Sequence, residues 1–189
     1  ENKTNSDIWL VPADGGEPRR LTSSPTHDRH PRWSPDGRSL LYTNLSPTTS
    51  QDVWVLPMAG DPKPFPFLNS TFYEGIGTYS PDGHWVAYES NESGRSEVYV
   101  RPFPGPGEKH RVSARGGANP AWAVDGRELF FAEPRPNRQW ALMAAAVSTP
   151  GDFTAGVPRE HAVEAIAEHE EEIARREGEE RGDELHVPL

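Results

Sequence analysis

The sequence predicts an all-β fold built from a repeated four-stranded unit. A reversal of the form Ser-Pro-Asp-Gly occurs at residues 34–37 and 80–83, and a diverged copy, Ala-Val-Asp-Gly, stands at residues 123–126. A second block, which begins with an acidic residue and ends in proline, recurs at residues 7–12, 52–57 and 97–102. Successive copies lie about 45 residues apart, and short β-rich runs at this period are typical of propeller blades.

The repeated reversal has the chemistry of a hairpin turn. Proline presets φ at the second turn position, aspartate can accept hydrogen bonds from nearby backbone N–H groups, and glycine adopts the left-handed conformation that closes a bulged hairpin. We therefore interpret Asp36, Asp82 and Asp125 as turn caps and not as catalytic carboxylates. Aromatic residues flank each aspartate at constant distances, three residues before it (Trp33, Tyr79 and Trp122) and six after it (Tyr42, Tyr88 and Phe131).

Composition agrees with a turn-rich all-β domain. The chain has 20 prolines and 17 glycines, which disfavours a helical protein, and 10% aromatic residues, which disfavours a disordered one. Its net charge of −10 argues against binding to nucleic acid or to an anionic membrane surface through this segment. Cysteine is absent from the sequence, so disulfides and thiolate metal sites are excluded.

The repeats divide the chain into about three and a half blades. Residues 1–6 are a polar lead-in, and residues 7–22 form half a blade whose strand is apolar on both faces, as expected for a sheet between two other sheets. The next blade ends in an outer strand at residues 63–67. Proline is tolerated in this strand because one side of an outer strand is unpaired. We predict four-stranded antiparallel blades at residues 30–67, 73–114 and 119–157.

From residue 158 onward the blade pattern ends. Residues 160–180 have a helix-forming, glutamate-rich composition with a thin apolar stripe that includes Val163, Ile166 and Ile173. We therefore expect residues 158–189 to form an acidic tail that is helical or disordered.

The repeat resembles that of the TolB-like propellers. Residues 31–42 follow their pattern P-x-W-S-P-D-G-x-x-[aliphatic]-x-[aromatic] almost fully. Residues 89–131 and 142–160 look like the propellers attached to bacterial serine/threonine protein kinases of eukaryotic type. The resemblance implies the sensory or interaction part of a larger bacterial protein, on the extracytoplasmic side of the membrane.

Candidate binding residues lie where the chain enters the inner strand of each blade, because propellers recognise partners through the loops at the mouth of the central channel. The spacing of His27 and His30 fits metal ligands, but the sequence offers no third ligand beside them, so we do not predict a metal site. The partner-binding candidates are His27, Asp28, Arg29, His30, Tyr73, Glu74 and Asn119.

Catalytic motifs are missing from the sequence. It contains neither a G-x-S-x-G nucleophile elbow nor the H-R-D and D-F-G signatures of protein kinases. We expect a non-catalytic binding module without cofactor, which self-associates through uncovered blade edges. The alternative is a propeller that gates a serine peptidase like the prolyl oligopeptidases, with the active site outside this chain.

Overall fold

Four antiparallel sheets follow one another along the chain in the computed structural model, which describes residues 5–60 and 63–161. The first sheet has two short strands, β1 (Trp9–Leu10) and β2 (Arg19–Arg20). The second sheet has four strands in sequential order: β3 (Asp28–Trp33), β4 (Ser39–Ser46), β5 (Ser50–Pro57) and β6 (Phe65–Leu68).

The third and fourth sheets repeat this order. The third sheet contains β7 (Glu74–Tyr79), β8 (Trp85–Ser90), β9 (Glu97–Pro102) and β10 (His110–Arg111). The fourth sheet contains β11 (Ala118–Trp122), β12 (Glu128–Pro134), β13 (Trp140–Ser148), β14 (Thr154–Ala155) and β15 (Arg159–Glu160), with a short 3-10 helix at Pro136–Arg138. One two-stranded sheet and three larger sheets thus follow the period of the repeat.

Each repeated reversal is the predicted capped turn. In the first copy, Gly37 has φ +68° and its N–H donates to Ser34 O at 2.9 Å. The carboxylate of Asp36 accepts hydrogen bonds from Ser34 Oγ (2.6 Å) and from the N–H of Arg38 (3.0 Å), and these bonds lower the pKa of Asp36. The other two aspartates, Asp82 and Asp125, accept the corresponding N–H bond two residues on, also at 3.0 Å.

The core lies between the sheets, because alternate residues of each strand point to opposite neighbours. Along β8, Val86 and Tyr88 pack with residues of the second sheet, whereas Trp85 and Ala87 pack with the fourth. Leu41 of β4 is fully buried between the second and third sheets. A smaller cluster around Ile8 joins the first sheet to the second. Burial of both faces explains why these strands are apolar on both sides.

The structure differs from the prediction at the edges. The strand in residues 7–12 was expected to be covered on both faces, but Trp9 is 55% exposed because it points away from the cluster around Ile8. Residues 159–160, assigned by sequence to the acidic tail, form β15 and pair with β13, so the fourth sheet extends beyond residue 157. No helical tail begins at residue 160, and the remaining predicted tail, residues 162–189, lies outside the described residues.

Candidate binding surface on the innermost strands

The first strand of each of the three larger sheets contains a β-bulge at the same place. The strand register shifts between Arg29 and Arg32 in β3, and equivalent shifts interrupt β7 and β11. Within each bulge one non-glycine residue has positive φ: His30 (+53°), Ile76 (+48°) and Asn119 (+52°). Such backbone conformations are uncommon outside glycine and concentrate at functional sites. We call these three residues the bulge residues.

Adjacent sheets hold the bulges in place. Thr43 Oγ1 on β4 accepts a hydrogen bond from the N–H of Ile76 at 3.2 Å. Glu89, at the matching position of β8, accepts one from the N–H of Asn119. Because the acceptor lies on the preceding sheet in both cases, the packing of one blade on the next fixes the conformation of these two bulges.

The bulge residues leave their side chains accessible. His30 and Asn119 are exposed to solvent, and Ile76 is half-buried. Partial burial of the imidazole, and then the positive charges of Arg32 and Arg29, lower the pKa of His30. The neutral imidazole is therefore favoured at neutral pH, and it can donate one hydrogen bond and accept another.

Tyr73 and Glu74 have a supporting role and do not present free polar groups. Tyr73 Oη donates to Glu89 Oε2 at 3.2 Å, and the Tyr73 N–H donates to Asn91 Oδ1 at 2.9 Å. Glu74 is 5% exposed and accepts a hydrogen bond from the N–H of Ser70 at 2.9 Å. Glu89 is 4% exposed, and burial raises the pKa of both carboxyl groups, Glu74 and Glu89.

His27 and Asp28 are likewise occupied by contacts within the chain. His27 Nδ1 lies 3.1 Å from both the N–H and the Oγ of Ser6. Asp28 is 4% exposed, and its Oδ1 accepts a hydrogen bond from Asn44 Nδ2 at 2.7 Å. Burial raises the pKa of Asp28. Arg29 is exposed beside them.

The seven sequence candidates therefore divide into two groups. Arg29, His30 and Asn119 present accessible side chains, whereas His27, Asp28, Tyr73 and Glu74 hold the surrounding loops. The sequence candidates did not include Ile76, although it lies in the strand entry at residues 73–77 that supplied two of them, and they did not include Glu89. A signal for Glu89 exists, because this carboxylate follows four apolar or aromatic residues of β8. A signal for Ile76 also exists, because Ile76 precedes Asp82 by the same number of residues as His30 precedes Asp36.

Two further findings concern the described part of the chain only. Within residues 5–60 and 63–161, no group of three or more His, Asp or Glu side chains is arranged to hold a metal ion. The same residues include no helix that is both long and apolar enough to cross a membrane.

Comparison with known sequences gives a relative of unassigned role. No protein-family model matches the chain. An uncharacterised protein of Agrobacterium fabrum is 29% identical over 130 residues, which is 67% of this chain and 42% of that protein. The chain thus spans less than half the length of this relative.

Comparison with solved structures identifies the fold. A structure described as TolB from Agrobacterium tumefaciens matches with a TM-score of 0.64 and 21% identity, over 82% of this chain and 57% of that one. A puromycin-hydrolysing peptidase from Mycobacterium tuberculosis matches with a TM-score of 0.58 and 21% identity, over 78% of this chain and 26% of the peptidase. The chain therefore has a TolB-like β-propeller fold.

Proposed function

We propose that this TolB-like propeller segment is a non-catalytic binding module, and that its partner contacts the bulge residues. One observation carries the proposal: His30, Ile76 and Asn119 occupy equivalent places on three consecutive sheets, and each has a left-handed backbone. A strained non-glycine backbone of this kind costs roughly 1–3 kcal/mol per residue. Its repetition at an accessible surface, where His30 and Asn119 are exposed, favours a binding role.

The chemistry of this surface suits an uncharged stretch of polypeptide. The Asn119 amide and the neutral His30 imidazole each donate and accept hydrogen bonds, as peptide groups require. Ile76 adds an apolar contact, and the exposed Arg29 adds a positive charge at one side. Both polar side chains lie on strands, which gives them more fixed positions than loop residues would have.

The parent of this module is, in our proposal, a larger bacterial protein such as a serine/threonine kinase with the propeller on the extracytoplasmic side. The resemblance of residues 89–131 to kinase-attached propellers supports this context. The TolB-like fold agrees with an extracytoplasmic position. Kinase motifs and a membrane span in the coding sequence upstream would support the proposal, and a cytoplasmic enzyme domain in their place would contradict it.

Selection of binding peptides tests the role of the bulge residues. Peptides from a displayed random library would be selected on the chain and their affinity measured by isothermal titration calorimetry. We expect His30→Ala and Asn119→Ala each to weaken binding. Asn137→Ala is the matched control, because Asn137 is also an exposed asparagine with positive φ (+63°) but lies in the connection between β12 and β13, outside the bulges. Equal affinity for all variants would refute the proposal.

A second candidate function is a propeller that gates a serine peptidase. The match to the puromycin-hydrolysing peptidase, of which this chain covers 26%, favours this alternative. The catalytic serine, aspartate and histidine would then belong to another domain of the parent protein. A G-x-S-x-G elbow encoded downstream would support the gate, whereas upstream kinase motifs would support the first function.

A further inference from the structure

Two junctions between sheets carry different side chains at one equivalent position. Trp85 follows the second reversal by the same number of residues as Ser39 follows the first. The Trp85 ring packs on Phe153 at 5.3 Å between centroids and on His110 at 6.1 Å. Its Nε1 donates to Thr149 O at 3.2 Å, and the residue is only 8% exposed. An indole therefore occupies the junction between the third and fourth sheets, and a smaller cavity of about 360 Å³ remains beside it.

At the preceding junction the small side chain of Ser39 leaves this space open. Ser39 Oγ lies 3.0 Å from Tyr79 Oη, and beside it is a cavity of about 530 Å³ between the second and third sheets. Pro57 and Phe65 line the cavity. By strand register, Pro57 is the counterpart of Pro102, and Phe65 is the counterpart of His110. Pro102 and His110 both lie beside Trp85. The two junctions thus have equivalent surrounding strands, but Ser39 stands at the first where Trp85 stands at the second.

The cavity combines an apolar wall with a charged rim. Val55, Phe65 and Phe103 form part of the wall, and Phe65 is 40% exposed. Two turn aspartates, Asp36 and Asp82, stand at the opening. Burial alone would raise the pKa of Asp82, but hydrogen bonds from Ser80 Oγ and the N–H of His84 outweigh it and lower the pKa. An apolar pocket with few polar groups at its opening is the usual form of a ligand site.

We propose that this cavity is a second binding site and that it takes the indole side chain of a tryptophan from a partner polypeptide. The chain itself supplies the argument, because Trp85 shows which group fits this framework in the neighbouring junction. Phe65 is positioned to pack against the incoming ring, as His110 packs against Trp85. The site lies at the reversals that follow β3 and β7, and its lining includes none of the bulge residues, so this proposal does not depend on the binding surface proposed above.

Fluorine NMR with N-acetyl-fluorotryptophanamide and with free fluoroindole as probes tests the site. Both signals should shift or broaden with the wild-type chain, and the amide should bind at least as tightly as free indole. Absence of binding would overturn the proposal. Tighter binding of free indole would overturn the assignment to a polypeptide.

Variants locate the binding. S39W places the chain's own indole in the cavity and should abolish the probe signal while raising the thermal unfolding midpoint. S39A keeps the cavity open and should still bind. Phe65→Ala, at a position that is 40% exposed, should weaken binding and provides a second test if S39W does not fold. Unchanged binding by a folded S39W or by Phe65→Ala would contradict the proposal.

Discussion

Substitution of Leu41 by alanine probes the packing of one blade on the next. Leu41 has no exposed surface, and its Cδ2 atom lies close to the backbone of Gly77 on the third sheet. The change removes three carbon atoms, worth about 2.4 kcal/mol of transfer free energy. The cavity left behind adds to this, and buried leucines typically lose about 2–5 kcal/mol. We expect a decrease of about 3 kcal/mol in the free energy of unfolding.

The repeat offers a matched control for this substitution. Leu142 of β13 faces outward from the fourth sheet and is 37% exposed. Leu142→Ala removes the same atoms but leaves less of a cavity, and we expect a loss of about 1.5 kcal/mol in proportion to the buried fraction. Urea unfolding followed by circular dichroism would measure both changes. Equal losses for the two variants would refute the idea that adjacent sheets stabilise each other through the buried face of β4.

Three other predictions follow from the buried junctions and edges. Gly77→Ala should destabilise the fold by roughly 1–3 kcal/mol in urea unfolding, because the added Cβ would lie 2.7 Å from Leu41 Cδ2. Asp28→Asn should change the pH dependence of stability. Burial raises the pKa of Asp28 in the folded state above its ordinary value of 3.8. The wild-type chain therefore loses stability as the pH rises from 3.8 through the pKa of the folded state, and the variant should lack this loss. Trp33→Arg should reduce self-association in sedimentation velocity, because Trp33 is 47% exposed.

Each of these predictions has a control variant or a result that would contradict it. Gly156→Ala should be nearly neutral, since the nearest atom that its added Cβ would meet, Ala146 O, is 3.5 Å away. For Asp28→Asn, a stability difference from the wild type that stays constant between about pH 4 and pH 8 would exclude a raised pKa. Thr48→Arg, at an exposed polar position between β4 and β5, should leave self-association unchanged. If it reduces self-association as strongly as Trp33→Arg does, charge alone would explain the effect.

Local chemistry made the reversals and the strands predictable. Proline, aspartate and glycine set the turn within four residues, and alternation between two apolar faces marks β4, β5, β8 and β9 as strands between sheets. Both signals depend on residues that are neighbours in sequence. For this reason the order and number of sheets followed from the repeat.

Contacts between distant residues determined what the sequence did not show. The bulge at Ile76 depends on Thr43, which lies on another sheet, so no local pattern marks its positive φ. The exposure of Trp33 likewise depends on a neighbour, since the equivalent Tyr79 is 6% exposed where β4 supplies the hydrogen-bonding Ser39. The spacing of the repeat indicated only the positions of the candidate site residues. Which of their side chains are exposed, and which are held by contacts within the chain, could be seen only in the structure.

Amide hydrogen exchange at the bulges tests the central claim most directly, namely that each blade holds the inner strand of the next. Thr43→Val removes the acceptor of the Ile76 N–H while keeping the side-chain shape. Exchange at Ile76 should become faster, and exchange at Asn119, which bonds to Glu89, should not change. Unchanged exchange at Ile76, or equal acceleration at both amides, would contradict the account.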